Sequence, residues 1–465
     1  MKLAAVILAA GKGTRMKSKA PKVLHKICGS SMLSYVLDAV EAAGVELSIV
    51  VAGHGAELVT REVAGRGQVV LQEQQLGTAH ALLQARSLLQ GFVGQVLVLC
   101  GDTPLIESAT LVRLVESHRS SGAAATVLTA ELAEPAGYGR VIRDQQGQVL
   151  RIVEEKDASP QEKNVHEINT GIYCFEAEGL FEALEAVTPD NAQGEYYLTD
   201  VVKAYKAGDR VVGAMLLANP VEATGINDRV QLAEVERVIR TKVLQDLMLN
   251  GVTVLDPQST FVDRGVRIGI DTVIYPFTML EGGTSIGEDC IIGPHTRLVD
   301  AELGNGVTIQ NSIVLESHIG HRCTIGPFAY IRPETRLGEG VKVGDFVEIK
   351  KSQIGNGSKV PHLAYVGDAT LGRDVNIGAG TITCNYDGQK KWPTYIGDRA
   401  FIGSNTNLVA PVNIGAGATT GAGSTITKDV PDGALGLERA QQTLILDWET
   451  RQKKKAEKAA KNQDK

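Results

Sequence analysis

Apolar positions along the chain follow two different periods, and the change falls near its middle. In the first half, strand-like and helix-like patterns alternate. Leu3 to Ala9 is a continuous apolar run, as in a strand covered on both faces. Leu33, Val36, Leu37 and Val40 recur at helical spacing, and Leu47 to Val51 reads as a strand. A helical stretch around Leu82 to Leu89 precedes the strand Val96 to Cys100, and Leu111, Leu114 and Val115 mark a further helix. This order predicts a three-layer α/β domain, Rossmann-like with a mostly parallel sheet, over residues 1–227. Residues 228–250 read as one linker helix with Leu232, Val235, Ile239, Val243 and Leu247 as its apolar stripe and Gly251 as its stop.

Beyond it, aliphatic residues recur every six positions. One run is Ile268, Ile274, Leu280, Ile286, Ile292, Leu298; after a slip come Leu303, Ile309, Leu315; a third is Ile319, Ile325, Ile331, Leu337, Val343, Ile349. Ile354, Val360 and Val366 follow, then Leu371 and Ile377, then Ile396, Ile402, Leu408 and Ile414, with Ile426 in phase. That period is neither helical nor strictly alternating. It fits a coil of three short strands, each sending one side chain inward, with glycines such as Gly269, Gly287, Gly293 and Gly326 at the bends: a parallel β-helix over residues 251–437. Each buried aliphatic side chain contributes roughly 1.5–3 kcal/mol, so a disordered second half is excluded. Cys384 to Tyr395 interrupts the rhythm as an insertion, which in a solenoid maps to a surface loop. Residues 438–465 form a C-terminal tail, Lys- and Ala-rich at its end, expected to be solvated or frayed over 451–465.

A length of 465 residues implies more than one domain, and 43% hydrophobic residues supply their cores. The net charge of −7 argues against a nucleic-acid partner, and no run is long enough to span a bilayer. The opening apolar run reads as a buried strand rather than a secretion signal. The six cysteines form no CxxC pair, so a zinc cluster is not expected and a reduced, cytoplasmic setting is.

The first strand leads into Gly11-Lys12-Gly13-Thr14-Arg15-Met16, with Pro21-Lys22 soon after. A glycine-rich turn there can present N–H groups to a phosphate or be a plain tight turn. It is neither a dinucleotide fingerprint nor a Walker A loop. The longer string LAAGKGTRMKSKAPKVL resembles the signature of sugar-1-phosphate nucleotidyltransferases. Gln72 with Leu76-Gly77-Thr78, Cys100-Gly101-Asp102, Tyr138-Gly139-Arg140, Glu154, Asn169-Thr170-Gly171 and Gly225-Ile226-Asn227 resemble its N-acetylglucosamine-1-phosphate uridylyltransferase members. The resemblance implies that Leu8, Ala9, Ala10, Gly11, Gln72, Gly77, Thr78 and Gly101 serve the nucleotide, and Gly139, Glu154 and Asn169 the sugar. It implies that Arg15 and Lys22 neutralise the UTP phosphates, and that Asp102 and Asn227 hold Mg²⁺. Asp102 ends a strand at the carboxyl edge where open α/β sheets bind ligands, although an aspartate there also suits a helix N-cap.

In the second half, His362 alone would be an ordinary structural histidine, and the β-helix could be a scaffold or effector module beside a single nucleotidyltransferase activity. The set Arg332, Lys350, Tyr365, Asn376, Ala379, Asn385-Tyr386, Ser404, Ala422 and Arg439 is similar to the acetyltransferase half of bifunctional enzymes that make UDP-N-acetylglucosamine. This implies a left-handed β-helix and acetyl-CoA-dependent N-acetylation of glucosamine-1-phosphate. His362 would be the general base, since imidazole can take the amine proton near neutral pH, with Glu348 orienting it. Arg332, Lys350, Tyr365, Asn376 and Lys391 would hold the sugar phosphate; Ala379, Asn385, Tyr386, Ser404, Ala422 and Arg439 would hold acetyl-CoA. It also implies a homotrimer.

Overall fold

The computed structural model describes residues 2–463. They form two compact units: one runs to Leu247 and includes Phe261–Gly265, and the other comprises Met248–Thr260 and the chain from Val266 onward.

The first unit is built on β1 (Lys2–Ala9), α1 (Met32–Ala42), β2 (Leu47–Ala52), α2 (Ala56–Val63), β3 (Gln68–Leu71), α3 (Thr78–Leu83), β4 (Gly94–Cys100), α4 (Ser108–Ser121), β5 (Ala125–Glu131), β6 (Arg140–Arg143), β7 (Val149–Val153), β8 (Glu167–Glu176), α5 (Leu180–Glu185), α6 (Val201–Ala207), β9 (Val212–Leu216) and α7 (Arg229–Leu249). The sheet order is β9-β5-β8-β4-β1-β2-β3, with the β6–β7 hairpin attached to β8. β1 is parallel to β2 and β4, whereas β8 runs antiparallel to β4 and β5. The alternation of βα units does not reveal that reversal, because β8 follows a hairpin rather than a helix.

Period-two geometry sorts the β1 side chains to two faces. Leu3, Ala5, Ile7 and Ala9 pack with Leu33, Val36 and Leu37 of α1 and Leu111 and Leu114 of α4. Ala4 and Val6 pack with Ala81 and Leu82 of α3, Leu180 of α5 and Val201 of α6. The helical stretch after residue 77 is shorter than its apolar pattern suggests: α3 stops at Leu83 and a 3₁₀ turn, Arg86–Leu88, takes over. In α7, Val235 and Ile239 join Met16, Ile27, Met32 and Ile226 in a small core. The helix expected as a linker is therefore also a wall of this unit.

The second unit stacks short parallel strands into three sheets. Ile274 lies over Ile292, which lies over Ile309 and then Ile325, Val343 and Val360 in succession. This stacking with the six-residue repeat is the left-handed parallel β-helix of hexapeptide proteins. One expected core position shifts: Val314 is fully buried between Leu298 and Ile331, and Leu315 faces partly outward. The coil is shortened on both sides of this strand, so the inward position comes one residue early. Two inward positions are threonines. Thr383 Oγ1 accepts the Gly367 N–H at 2.8 Å, and Thr420 Oγ1 accepts that of Gly403 at 3.0 Å, so neither hydroxyl is orphaned. The tail, expected to be solvated or frayed over 451–465, carries the helix α8, Trp448–Gln463, exposed along its described side chains; residues 464 and 465 lie outside the described ones. No helix among the described residues is long and apolar enough to cross a membrane.

Candidate active sites

In the first unit, the carboxyl ends of β1 and β4 open onto a cavity of about 440 Å³. Leu8, Ala9, Ala10, Gly11, Lys22, Gln72, Gly77, Thr78 and Asp102 all line it, as the sequence predicts, together with Lys12, Gln75, Cys100 and Glu195. Gly101 does not line it but ties its floor together, its N–H donating to Leu8 O at 2.9 Å. The turn at Gly77 has φ +120°, and a Cβ there would meet Tyr196 O at 2.5 Å. Thr78 Oγ1 accepts the Leu198 N–H at 2.9 Å, so this loop is fastened to the 196–198 segment on both sides.

At the mouth, Lys22 Nζ donates to Asp102 Oδ2 and, at 3.3 Å, to Asn227 Oδ1; Arg15 Nη2 reaches the same Asn227 oxygen at 2.9 Å. The Ile226 N–H donates to Asp102 O at 3.0 Å, which holds the two segments side by side. Asp102 caps no helix, since α4 begins at Ser108 with Glu107 at its cap position. Two side-chain oxygens thus converge on a cation, the donor type that a hard divalent metal prefers.

Glu154 and Asn169 gather at a separate spot beside Gly139. The Asn169 N–H donates to Gly139 O at 2.8 Å, and a Cβ on Gly139 would touch the Glu154 carboxylate at 3.4 Å. Thr199 Oγ1 donates to Glu154 Oε1 at 3.2 Å. Burial raises the Glu154 carboxyl above its usual range.

In the second unit, residues one place before or after an inward aliphatic point out of the coil. Arg332, Glu348, Lys350 and Tyr365 flank Ile331, Ile349 and Val366 in this way, and stacking places them on one face. Arg332 Nη1 donates to Glu348 Oε1 at 2.7 Å. Lys350 lies against Lys391 of the insertion, which with partial burial and the Arg332 charge pushes its ammonium below the ordinary lysine range. Asp387 orders that insertion: its carboxylate accepts the Gln389 and Lys390 N–H groups at 2.8 Å and Trp392 Nε1 at 2.7 Å.

One expected partner changes. Glu348 is engaged by Arg332, and the partner of His362 is Asp345, with Nδ1 to Oδ1 at 2.6 Å. The reason is register: Asp345 and His362 both lie two residues past stacked valines, Val343 and Val360, whereas Glu348 belongs to the next face. Asn385, expected among the acetyl-CoA residues, turns its amide to Asp368 Oδ2 at 2.5 Å and the Tyr365 hydroxyl at 3.4 Å. These bonds tie the start of the insertion to the strand that carries Tyr365. Tyr386 remains exposed on the insertion, bonded to Gly388 O at 2.7 Å.

Ala379, Ser404 and Ala422 form a column on the corner above His362. Gly380 N donates to His362 O at 3.4 Å, Asn405 N to Ala379 O at 2.6 Å, Gly423 N to Ser404 O at 2.8 Å, and Arg439 Nη1 to Ala422 O at 3.2 Å. Asn376 sits half-exposed on the adjoining strand. Sequence reasoning missed Asp345 and Asp368; stepping back one coil from His362 and from Asn385 would have found both.

Residues 4–219 match the nucleotidyl transferase family, and residues 265–299, 316–351 and 393–428 match the bacterial transferase hexapeptide (six repeats) family. The bifunctional protein GlmU of Pelotomaculum thermopropionicum is 70% identical over 98% of this chain and all of its own length. Its namesakes from Heliobacterium modesticaldum and Syntrophomonas wolfei are 56% and 55% identical, each over 95% of this chain and 97% and 98% of theirs. The chain belongs to the GlmU family. As a GlmU it is a bifunctional transferase of UDP-N-acetylglucosamine synthesis, with uridylyltransferase and acetyltransferase activities. Its substrates are sugar phosphates, UTP and acetyl-CoA.

Proposed function

We propose that the β-helix unit acetylates the amine of glucosamine-1-phosphate and that the α/β unit then transfers a uridylyl group from UTP to the product, releasing pyrophosphate. The observation that carries the division of labour is the second cluster. A scaffold has no use for a histidine–carboxylate pair at one corner of the coil and the cations Arg332, Lys350 and Lys391 gathered on its following face.

In the acetyl transfer, Asp345 accepts the Nδ1–H of His362 and leaves Nε2 free to take a proton from the amine as it attacks the thioester carbonyl. Coenzyme A departs as the thiol. Arg332, Lys350, Tyr365, Asn376 and Lys391 hold the sugar phosphate. The corner column Ala379, Ser404, Ala422 and Arg439 receives acetyl-CoA together with Asn385 and Tyr386 of the insertion, and backbone and hydroxyl donors of the column stabilise the developing oxyanion.

In the uridylyl transfer, positioning and charge neutralisation dominate. Gln72, Gly77 and Thr78 hold the uridine, Gly139, Glu154 and Asn169 the sugar, and Arg15 and Lys22 the phosphates and departing pyrophosphate. Asp102 and Asn227 would hold Mg²⁺, whose charge would neutralise phosphate oxygens; their convergence on the Lys22 ammonium supports that fit.

A homotrimer is supported by one corner of the β-helix, where Phe277, Phe328, Phe346 and Leu363 are each more than half exposed. Such a row is a protein contact surface. Six free thiols support a reducing, cytoplasmic setting. Product analysis with glucosamine-1-phosphate, acetyl-CoA, UTP and Mg²⁺, omitting each in turn, tests the scheme. Release of pyrophosphate from UTP with glucosamine-1-phosphate as acceptor and no acetyl-CoA, at the full rate, would reverse the proposed order.

A further inference from the structure

Gln72 is almost fully buried, lines the nucleotide cavity and spends its amide nitrogen twice. Nε2 donates to Gly77 O at 3.1 Å and faces His80 Nδ1 at 2.9 Å. The Gly77 carbonyl can only accept, so the atom facing it is the nitrogen, and the amide orientation follows from chemistry. His80 Nδ1 then has to supply a lone pair. In that pairing the ring hydrogen sits on Nε2. The competing amide, Gln84 Nε2, stands farther off at 3.3 Å from His80 Nε2 and already donates to His80 O at 2.9 Å. The shorter contact fixes the tautomer.

With both amide hydrogens engaged, the group Gln72 has left for a ligand is Oε1. It accepts no hydrogen bond among the described residues and is not among their sealed, orphaned polar atoms. We propose that His80 is a positioning residue for base selection: by accepting from the Gln72 amide it keeps Oε1, an acceptor, turned to the nucleobase. An acceptor matches the N3–H of uracil. Cytosine carries a lone pair at N3, so the same oxygen repels it there, and a buried polar site mismatched in this way discriminates strongly. Thymine shares the uracil edge, so this device does not separate UTP from TTP. Without the His80 acceptor, the amide is held by Gly77 alone and can turn its nitrogen to the base.

The inference rests on the reading of this cavity as the uridine site, and the experiment separates the two. In the full-length protein, His80→Leu removes the acceptor, and His80→Asn restores one near the Nδ1 position. The readout is kcat/KM for UTP, CTP and TTP with N-acetylglucosamine-1-phosphate. The expected result for His80→Leu is a fall of about tenfold or more in the UTP:CTP ratio, an unchanged UTP:TTP ratio, and substantial recovery of UTP:CTP in His80→Asn. Equal losses for all three nucleotides would reduce His80 to helix packing and overturn the proposal. Gln72→Ala is the control. If it leaves UTP use untouched, the uridine reading fails and the proposal with it; if it impairs UTP use while His80→Leu and His80→Asn both keep the original ratios, only the proposal fails.

Discussion

His362 Nδ1 stands 2.6 Å from Asp345 Oδ1, and the two side chains belong to successive coils stacked in register. The hydrogen bond from His362 holds the Asp345 carboxyl below the usual carboxylate range. A carboxylate lowered in this way stays ionised through neutral pH, and its support of the imidazole is lost only as pH falls through that lowered value. Asp345→Asn should therefore reduce acetyl transfer across the neutral range by up to about 10⁴-fold, the scale for turning the carboxylate behind a general-base imidazole into an amide. His362→Ala should reduce it by about 10²–10⁴-fold. Uridylyl transfer by both variants, assayed with N-acetylglucosamine-1-phosphate, should stay near the parent rate. A fall in both activities of folded protein would refute the division of labour.

Asp102 and Asn227 share the Lys22 ammonium. Asp102→Ala leaves that cation unbalanced and removes the anionic oxygen proposed for Mg²⁺. Pyrophosphate release should fall by about 10²-fold or more, a loss expected for a main electrostatic contact in phosphoryl-type transfer. Chelation of divalent ions should reproduce it. Coenzyme A release from acetyl-CoA and glucosamine-1-phosphate should continue in both experiments.

Lys350 is pushed below the ordinary lysine range by Lys391, then by burial and Arg332. A lysine lowered in this way sheds its proton at a lower pH than a free one. Affinity for a sugar phosphate should therefore weaken early on the alkaline side. Lys391→Met removes the principal cause, so the weakening should begin at higher pH, even though its overall affinity is lower. Binding of N-acetylglucosamine-1-phosphate, which has no titrating amine, measures this directly. An unchanged alkaline limb would show that the ammonium groups do not interact.

Val314, not Leu315, fills the core between Leu298 and Ile331. Val314→Ala should cost about 1–3 kcal/mol and lower the unfolding temperature of the β-helix; Leu315→Ala should cost less. The reverse ranking would place the register one residue off. Here the limit of sequence reading is visible. The period of six identifies the architecture and nearly every inward residue, because burial selects aliphatics at each coil. It misplaces residue 315 because Val314 and Leu315 are both apolar, and only the coil lengths on either side decide between them. It passes over Thr383 and Thr420 because a buried hydroxyl with a backbone partner breaks the aliphatic pattern without breaking the fold. The polar site residues were legible in kind. Their partners were not, since Asp345 and Glu348 are equally plausible in sequence and are separated only by which face of the coil each one occupies. In the α/β unit, the antiparallel β8 escaped for a similar reason: strand direction is set by connections, not by composition.

Gly77 shows how closely the nucleotide loop is fitted. Its φ of +120° lies where side-chain-bearing residues are strained, and a Cβ would come within 2.5 Å of Tyr196 O and 2.7 Å of Tyr196 N. Neither backbone atom can swing away, because the Tyr196 N–H donates to Leu76 O at 2.8 Å and Tyr196 O accepts from Ala79 N at 2.9 Å. Gly77→Ala must therefore displace the loop itself. Backbone strain of this kind costs about 1–3 kcal/mol. The displacement also removes the Gly77 carbonyl from Gln72, loosening the amide proposed to meet the base. The KM for UTP should rise about tenfold or more while the acetyl transfer rate is unchanged, and steady-state assays of the two reactions on the same preparation read both. A Gly77→Ala protein with the parent KM for UTP would show that the loop has room the geometry denies, and that its fit to Tyr196 does not govern nucleotide binding.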